Sequence, residues 1–167
     1  MPGSGEVRIR RSRREDSEAL AALNNAVWND DNSPQLRIWT AEEFERFHPE
    51  GGELVAELDG RLCGFVGMRP PTRMDSNRHV RELAIAVHPD AQGRGVGRLL
   101  LDAACRRAAE EGVRKLSLRV MSTNPGAISF YERCGFQVQG RLVEEFYING
   151  RYVDDILMYK TIVETER

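Results

Sequence analysis

The sequence predicts an α/β fold of the α+β kind, with a mixed, mostly antiparallel central sheet flanked by about four helices. Two tight-turn signals, Asp59-Gly60 and Asn149-Gly150, each join segments of strand character and so predict antiparallel hairpins. A strand–helix–strand succession across residues 80–120 predicts a parallel pair in the same sheet, because such a crossover returns the chain in the same direction. This order is not the regular alternation of a doubly wound sheet.

The first part of the chain predicts a strand, two helices and a hairpin. Residues 6–11 alternate between apolar and charged positions, as in a half-buried strand. Ser12–Glu15 and Thr40–Glu43 both match the capping box, in which a hydroxyl and a carboxylate accept backbone N–H groups at a helix start. Gly51-Gly52 ends the helical region, and the hairpin that follows has its return strand at residues 62–68.

The second part begins with a nearly continuous apolar run at residues 80–87, which is typical of a central strand covered on both faces. The next helix ends at Gly112, a residue type common at helix C-termini. Its predicted inward positions are Val96, Leu99, Leu100, Ala103, Ala104 and Ala108. Asn124 and Pro125 predict the start of a short helix. The remaining predicted strands are residues 116–120, about 136–148 and 151–161.

Composition is that of an ordinary soluble protein, and we expect one domain over residues 1–167. Apolar residues make up 41% of the chain and charged residues 30%, and the net charge of −2 favours neither nucleic acid nor an anionic membrane. No apolar run approaches the ~20 residues that span a bilayer. Residues 1–6 lack the apolar core of a secretory signal, so we expect a cytoplasmic protein.

Cysteine and histidine patterns predict neither disulfides nor a metal site. Cys63, Cys105 and Cys134 are odd in number, far apart and without a CxxC pair, which argues against a disulfide framework and against zinc. The histidines form no HExxH or comparable ligand spacing. We therefore expect buried thiols in a reducing compartment and no metal ion.

The most informative segment is a glycine-rich turn between the apolar strand and the helix after it. It reads Gln92-Gly93-Arg94-Gly95-Val96-Gly97-Arg98. Glycines leave backbone N–H groups uncovered, and a helix N-terminus adds unpaired amides and the positive end of the helix dipole. The turn therefore predicts an anion site suited to a pyrophosphate, with Arg94 and Arg98 adding charge at its edge. A tight turn without a ligand is the alternative.

Two common phosphate-binding loops do not fit this turn. A Walker loop requires Lys followed by Ser or Thr after its last glycine, where this chain has Arg98 and Leu99. A GxGxxG dinucleotide pattern that starts at Gly93 or Gly95 requires glycine at position 98 or 100, and Arg98 and Leu100 stand there. A phosphate site of another type is therefore indicated.

The turn at residues 92–97 matches the Q/R-x-x-G-x-G/A signature of the GCN5-related N-acetyltransferase (GNAT) superfamily. Residues 86–89 and 99–100 beside it also resemble the cofactor motif of that superfamily, and residues 124–136 resemble its second motif. The order of the predicted elements agrees as well. The resemblance covers nearly the whole chain and is sharpest over about 80–160.

The resemblance implies a GNAT-type sheet with a splayed parallel strand pair and acetyl-CoA as co-substrate, without a metal. Main-chain groups of the strand before the turn would pair with the pantetheine arm, and backbone amides of the turn would hold the pyrophosphate. The residues expected to bind the cofactor are Ile85, Ala86, Val87, Gln92, Gly93, Arg94, Gly95, Val96, Gly97, Arg98, Asn124 and Tyr131.

The same resemblance implies that an acetyl group passes from acetyl-CoA to a primary amine by direct attack in a ternary complex. Tyr131 occupies the superfamily's usual tyrosine position and is the candidate acid for the leaving thiolate, with packing in the core as its alternative. Glu82 is the candidate base, directly or through water, with a solvated strand residue as its alternative. Asn124 would contact the pantetheine region, which is compatible with a place at a helix N-terminus.

The sequence does not single out the amine that accepts the acetyl group. Acidic and aromatic residues at 28–31 and Trp39 lie near the first helix pair, and acidic residues at 144–145 and 154–155 flank the last hairpin. In a cleft they would suit a cationic amine, whereas the alternative is solvated charges and core tryptophans. The segment 145–154 resembles hairpins of spermidine, ribosomal-protein alanine and phosphinothricin acetyltransferases. A small amine or polyamine, an amino acid and a peptide N-terminus therefore all remain open, as does a homodimer.

Two other function classes remain open at this point. A non-catalytic coenzyme A or acyl-CoA binder with a regulatory role would keep the glycine turn without needing an acid at Tyr131. A nucleic-acid binder would use the arginines of residues 8–14, which alternatively lie on an exposed strand face and a helix start beside acidic residues. We expect neither a nucleic-acid nor a membrane partner.

Overall fold

The computed structural model describes residues 5–162, within which seven strands and four α-helices follow one another in the predicted order. The strands are β1 (Val7–Arg11), β2 (Glu53–Leu58), β3 (Arg61–Arg69), β4 (Val80–Val87), β5 (Lys115–Met121), β6 (Gln137–Ile148) and β7 (Arg151–Thr161). The helices are α1 (Ser17–Val27), α2 (Ala41–Phe47), α3 (Val96–Glu110) and α4 (Pro125–Arg133). The expectation that a signal peptide is absent rests partly on residues 1–4, which lie outside the described residues.

The strands form one mixed sheet in the order β1-β2-β3-β4-β5-β7-β6. Neighbours β1 and β2, β2 and β3, β5 and β7, and β6 and β7 pair in antiparallel fashion. Strand β4 runs parallel to β5, with pairing from Val80↔Lys115 to Glu82↔Ser117. The predicted α+β fold with a parallel pair inside a mostly antiparallel sheet is therefore confirmed. The expectation that β4 and β5 diverge from each other along their length stays a prediction.

The chain divides into two compact units. The first comprises the described residues up to Val27 together with Arg37–Met68 and Ala84–Ala104, and the second comprises Trp28–Leu36, Arg69–Leu83 and the chain from Cys105 onward. The first unit has a core that includes Leu20, Leu23, Phe44, Val55, Phe65, Val96 and Leu100. The second has a core that includes Val113, Leu116, Leu118, Val120, Phe136, Ile156 and Met158. The single domain over residues 1–167 stays a prediction.

Local signals for turns and caps are mostly confirmed. The two residues of each predicted hairpin turn, Asp59-Gly60 and Asn149-Gly150, have positive φ, as the tight turns of hairpins require. At the start of α2, the N–H of Glu43 donates to the Thr40 hydroxyl at 3.2 Å, and the N–H of Thr40 donates to the Glu43 carboxylate at 3.2 Å. These elements therefore form where residues adjacent in sequence specify them.

The other predicted capping box, at Ser12 and Glu15, is wrong. Asp16 takes the place of Glu15, since its Oδ2 accepts the backbone N–H of Arg13 at 2.7 Å. The Ser12 hydroxyl instead accepts the backbone N–H of Glu53 at 3.2 Å. A 3-10 turn therefore precedes α1, and the serine joins β1 to β2.

Two predictions about burial are also wrong. In α3, Leu99 is 41% exposed and Leu101 only 2% exposed, so the buried stripe of the helix includes Leu101 instead of Leu99. The other five predicted inward positions are buried, namely Val96, Leu100, Ala103, Ala104 and Ala108. Strand β4 is not covered on both faces along its length, since Ala84 is exposed and Ile85 is half-buried, although Ala86 is buried. The part of β4 at Ala84 and Ile85 is thus accessible to solvent.

Candidate functional site

The glycine-rich turn forms at the surface of the first unit, between β4 and α3. A 3-10 turn, Pro89–Ala91, follows β4, and the Nδ1 of His88 accepts the backbone N–H of Asp90 at 3.1 Å. Gly93 and Gly95 then have φ of 79° and 77°, in the left-handed region that favours glycine. A Cβ added at either glycine would meet no atom within 4 Å. The main chain of the turn is therefore open on its outer side.

Helix α3 begins directly after this turn and anchors it. Val96 is 1% exposed, so the first residue of the helix is fixed in the core of the first unit. The N–H of Leu99 is bonded to the carbonyl of Gly95 at 3.1 Å, which closes the first helical turn. The amides of residues 96–98 precede that bond and have no acceptor inside the helix. The exposed residues of the turn are Gln92, Gly93, Arg94, Gly95 and Arg98.

Gly64 of β3 allows this assembly to pack closely, and sequence reasoning missed it. A Cβ at Gly64 would lie 3.0 Å from the carbonyl oxygen of Ala86 and 3.3 Å from Cγ1 of Val96. Next to it, the carbonyl of Cys63 accepts the N–H of His88 at 2.7 Å and ties the end of β4 to β3. A lone glycine inside a strand signals such a close approach and could have identified it.

In the second unit, α4 starts where the sequence predicts. The Oδ1 of Asn124 accepts the N–H of Ala127 at 3.3 Å, and Pro125 follows at the first helical position. Asn124 is therefore confirmed as the N-cap, with its carbonyl also accepting the N–H of Ile128 at 3.3 Å. Its contact with a pantetheine arm stays a prediction.

Tyr131 lies near the end of α4 among other aromatic rings. Its ring centroid is 5.4 Å from that of Phe130 and 5.9 Å from that of Phe136. Burial raises the pKa of the Tyr131 phenol above its usual value, and the charge that Cys134 can carry adds to this. Among residues 5–162 the phenol has no hydrogen-bond partner, so its proton can be donated to a ligand.

Glu82, the candidate base on β4, forms an ion pair that the sequence did not predict. Its Oε2 lies 3.2 Å from Nη2 of Arg69. The Glu82 side chain is 21% exposed and that of Arg69 is 77% exposed, so a mostly buried carboxylate pairs with an arginine that lies largely in solvent. The role of Glu82 as a base stays a prediction.

A second ion pair joins β5 to β7. Both Nε and Nη2 of Arg119 lie 2.5 Å from Oδ2 of Asp155. The Asp155 side chain is 3% exposed and that of Arg119 is 45% exposed. Sequence reasoning included Asp155 among the acidic residues of the last hairpin but did not identify Arg119, since no local pattern marks the pair.

Two other acceptor candidates, Trp39 and Asp154, have partners of their own. In the first unit, the ring of Trp39 lies 5.6 Å from Phe44, and the guanidinium of Arg37 stands 3.9 Å from its centroid. In the second unit, Asp154 pairs with Arg141 and its Oδ1 accepts a backbone N–H at 2.7 Å. These contacts favour the structural alternative for Trp39 and Asp154.

The structure therefore brings together residues 92–98 as one open turn and places Tyr131, Asn124 and Glu82 in the second unit. The meeting of these groups at one bound cofactor stays a prediction. Within residues 5–162, no three His, Cys, Asp or Glu side chains are grouped so that they could hold a metal ion. No helix of this part of the chain has the length and apolar character to cross a membrane.

Known proteins resemble the chain over most of its length. The sequence model of the Acetyltransferase (GNAT) family matches residues 14–136. Spermidine N(1)-acetyltransferase of Escherichia coli K12 is 30% identical over 95% of this chain and 87% of that protein. The L-amino acid N-acyltransferase MnaT of the same strain is 28% identical over 87% of this chain and 88% of that protein.

Among solved structures, an acetyltransferase from Salmonella typhimurium with its cofactor acetyl-CoA has the same fold. Its TM-score is 0.83 at 24% identity, and the match covers 97% of both chains. That protein binds acetyl-CoA, and its likeness to this chain is one of fold.

Proposed function

Because the chain belongs to the acetyltransferase (GNAT) family, we propose that it transfers an acetyl group from acetyl-CoA to a primary amine by direct attack in a ternary complex. The chain is an acyltransferase, and its acceptor is a small amine, an amino acid or a peptide N-terminus. One observation carries the proposal: an exposed turn with two left-handed glycines leads from β4 into the N-terminus of α3.

This turn supports acetyl-CoA as the co-substrate. The space beside Gly93 and Gly95 is open, so the pyrophosphate can reach the backbone without a clash. The N–H groups of residues 93–98 would donate to its oxygens, and the dipole of α3 would add to the attraction. The exposed guanidinium groups of Arg94 and Arg98 would balance the remaining charge.

The strand before the turn supports the pantetheine contact. Ala84 is exposed and Ile85 is half-buried, so a ligand can reach this part of β4. The N–H and C=O groups of Ile85 and Val87 would pair with the amides of the pantetheine arm, as an added strand would. Asn124, whose side chain caps α4, would contact the same arm.

Acyl transfer from a thioester requires a neutral amine and a protonated leaving thiolate. In the proposed mechanism Glu82 accepts the proton of the attacking ammonium, directly or through water. Its ion pair with Arg69 has to shift for this to happen, and the 77% exposure of the Arg69 side chain leaves it room to move. An amine that is already neutral would need no such base.

Tyr131 would donate a hydrogen bond to the leaving thiolate. A thiol has a pKa of about 8.5 and a phenol one of about 10, so complete proton transfer is already uphill by about 2 kcal/mol. Burial raises the pKa of Tyr131 further. The phenol therefore stays protonated throughout the physiological range and stabilises the developing thiolate chiefly as a donor.

The replacement Tyr131→Phe tests this role. Turnover should fall by about a hundred- to a thousandfold, as when one hydrogen-bond donor to a developing charge is removed, while acetyl-CoA affinity stays nearly unchanged. Because the phenol does not titrate below about pH 10, the loss should be the same from about pH 7 to 9. Tyr159→Phe is the matched control, since Tyr159 donates to Gln137 at 3.2 Å on the β6–β7 hairpin. Unaltered turnover of Tyr131→Phe would exclude it as the group that stabilises the leaving thiolate.

The function itself is tested by release of free thiol from acetyl-CoA over a panel of polyamines, amino acids and peptides. Turnover of at least one amine is expected. Tight binding of acetyl-CoA without turnover of any amine would instead favour a regulatory coenzyme A binder. A nucleic-acid binder has less support, because the Arg10 guanidinium is engaged by Asp16 and Glu57 at 2.7 Å each.

A further inference from the structure

A guanidinium held by a buried carboxylate lies on the sheet face that carries Glu82. The register pairs Glu82 of β4 with Ser117 of β5, so both side chains point to one face. Arg119 lies two residues beyond Ser117 on β5 and therefore points to the same face. Asp155 of β7 reaches Arg119 on this face.

The geometry of this ion pair leaves the arginine, and not the aspartate, accessible. Asp155 is 2% exposed, so it cannot contact a ligand while Arg119 stands over it. The Arg119 side chain is 45% exposed, and both of its contacts use the single oxygen Oδ2 of Asp155. Nη1 of Arg119 has no hydrogen-bond partner among residues 5–162. A positioned guanidinium with unused donors is suited to bind a carboxylate.

Negative charges surround this arginine as well. Burial raises the pKa of Asp155, Arg119 opposes the shift, and the charges of Glu145 and Glu82 raise it further. Glu82 and Glu145 are therefore within electrostatic range of the Arg119–Asp155 pair. The face of the sheet that carries Arg119 therefore also carries Glu82 and Asp155, and a cation with carboxylates on one face is the charge pattern complementary to a zwitterion.

We propose that Arg119 binds the carboxylate of the acceptor, so that the preferred acceptors are free α-amino acids rather than polyamines. This inference rests on the proposed function, in which the amine of the acceptor is received at Glu82. An α-amino acid would direct its ammonium towards Glu82 and its carboxylate towards Arg119. A polyamine has no carboxylate and would leave the unused donors of Arg119 without a partner.

Paired substrates provide the test. The values of kcat and KM are measured for several L-amino acids, for the corresponding L-amino acid amides and for spermidine. The wild-type protein should prefer the acid over the amide and over spermidine. In Arg119→Gln, the kcat/KM of the acid should fall by about 10- to 100-fold, chiefly through KM, as expected for a lost charge-assisted contact. The amide should change by less than about threefold, since it has no carboxylate to lose.

Three further variants separate this role from a structural one. Arg119→Lys keeps the charge but not the guanidinium fork, so its loss should be intermediate. The double variant Arg119→Gln with Asp155→Asn replaces the buried ion pair with two amides and should show the same selective loss in a folded protein. Arg107→Gln removes another arginine–carboxylate contact, which joins Arg107 of α3 to Glu111 just after the helix at 2.9 Å, and should leave the acid-to-amide ratio unchanged.

The outcomes are distinct for the two proposals. Equal losses for acid and amide in Arg119→Gln and in the double variant would overturn the carboxylate contact and assign the pair a structural role. Preference of the wild-type protein for spermidine would overturn it too, while leaving amine acetylation intact. Turnover of no amine at all would remove the proposed function and this inference with it.

Discussion

Substitutions at Gly95 test the proposed pyrophosphate site. The loss of stability that any side chain causes at this left-handed position can be measured separately, at Gly112. Its φ of 77° lies in the left-handed region, and an added Cβ would meet nothing within 4 Å. Gly112, after the C-terminus of α3, has a φ of 74° and equally open surroundings. Gly95→Ala and Gly112→Ala should therefore each lower the free energy of unfolding by about 1–2 kcal/mol, the cost of a left-handed alanine.

A negative charge at position 95 should also weaken the binding of acetyl-CoA. Asn and Asp tolerate the left-handed conformation better than Ala and have the same shape, so Gly95→Asn and Gly95→Asp differ mainly by one negative charge. A charge about 4 Å from a phosphate is repelled by ~1 kcal/mol in a water-like medium and by ~4 kcal/mol near a protein surface. Gly95→Asp should therefore bind acetyl-CoA at least about fivefold more weakly than Gly95→Asn.

Calorimetric titration with acetyl-CoA and with coenzyme A measures the affinities, and urea unfolding measures the stabilities. The difference between the Asp and Asn variants should shrink as salt is raised, because ions screen an exposed charge. Gly112→Ala should bind like the wild-type protein. Equal affinities of Gly95→Asp, Gly95→Asn and Gly112→Ala in folded proteins would mean that the pyrophosphate lies elsewhere.

Two predictions concern the first unit alone. Gly64→Ala should destabilise the protein by about 1–3 kcal/mol in urea unfolding, because its Cβ would stand 3.0 Å from the Ala86 carbonyl oxygen and 3.1 Å from Leu100. Gly126→Ala is the control and should not destabilise the protein, because its Cβ would meet nothing within 4 Å. The Arg10 side chain and the backbone N–H of Arg13 hold the pKa of Asp16 below its usual value. That contribution is present above about pH 4 and is lost as the pH falls, so Asp16→Asn should cost about 2 kcal/mol at neutral pH and progressively less below about pH 4.

The parts of the fold that could be predicted are those whose causes are adjacent in sequence. A hairpin turn such as Asn149-Gly150 requires positive φ at neighbouring residues, and the capping box at Thr40–Glu43 spans one helical turn. The glycine-rich turn at 92–98 is of the same kind, because its strand, its glycines and its helix start follow one another directly. Periodicity and turn chemistry are therefore enough to locate these elements.

The errors arose where a distant residue decided between local alternatives. Glu15 and Asp16 are both acidic residues near a helix start, and the guanidinium of Arg10 contacts Asp16 at 2.7 and 2.9 Å. That contact fixes Asp16 as the acceptor of the backbone amide and displaces the predicted box by one residue. The exposure of Ala84 also depends on distant parts of the chain. An apolar run indicates that a strand can be buried, but it does not indicate which elements pack against it.

The proposed site for the acyl donor depends on residues adjacent in sequence, whereas the proposed site for the acceptor amine depends on distant ones. The sequence therefore indicated the acyl donor but not the acceptor. The proposed acetyl-CoA site uses consecutive backbone amides, so a short signature can specify it and a whole family can retain it. The ion pairs on the face of Glu82 join residues 13 and 36 positions apart, on strands that meet only after folding. Relatives at 30% and 28% identity accordingly bear the names of a spermidine and an L-amino acid enzyme. If Arg119 binds the acceptor as proposed, a change at that position would redirect the acceptor while the turn, and the proposed acyl-donor site with it, stays the same.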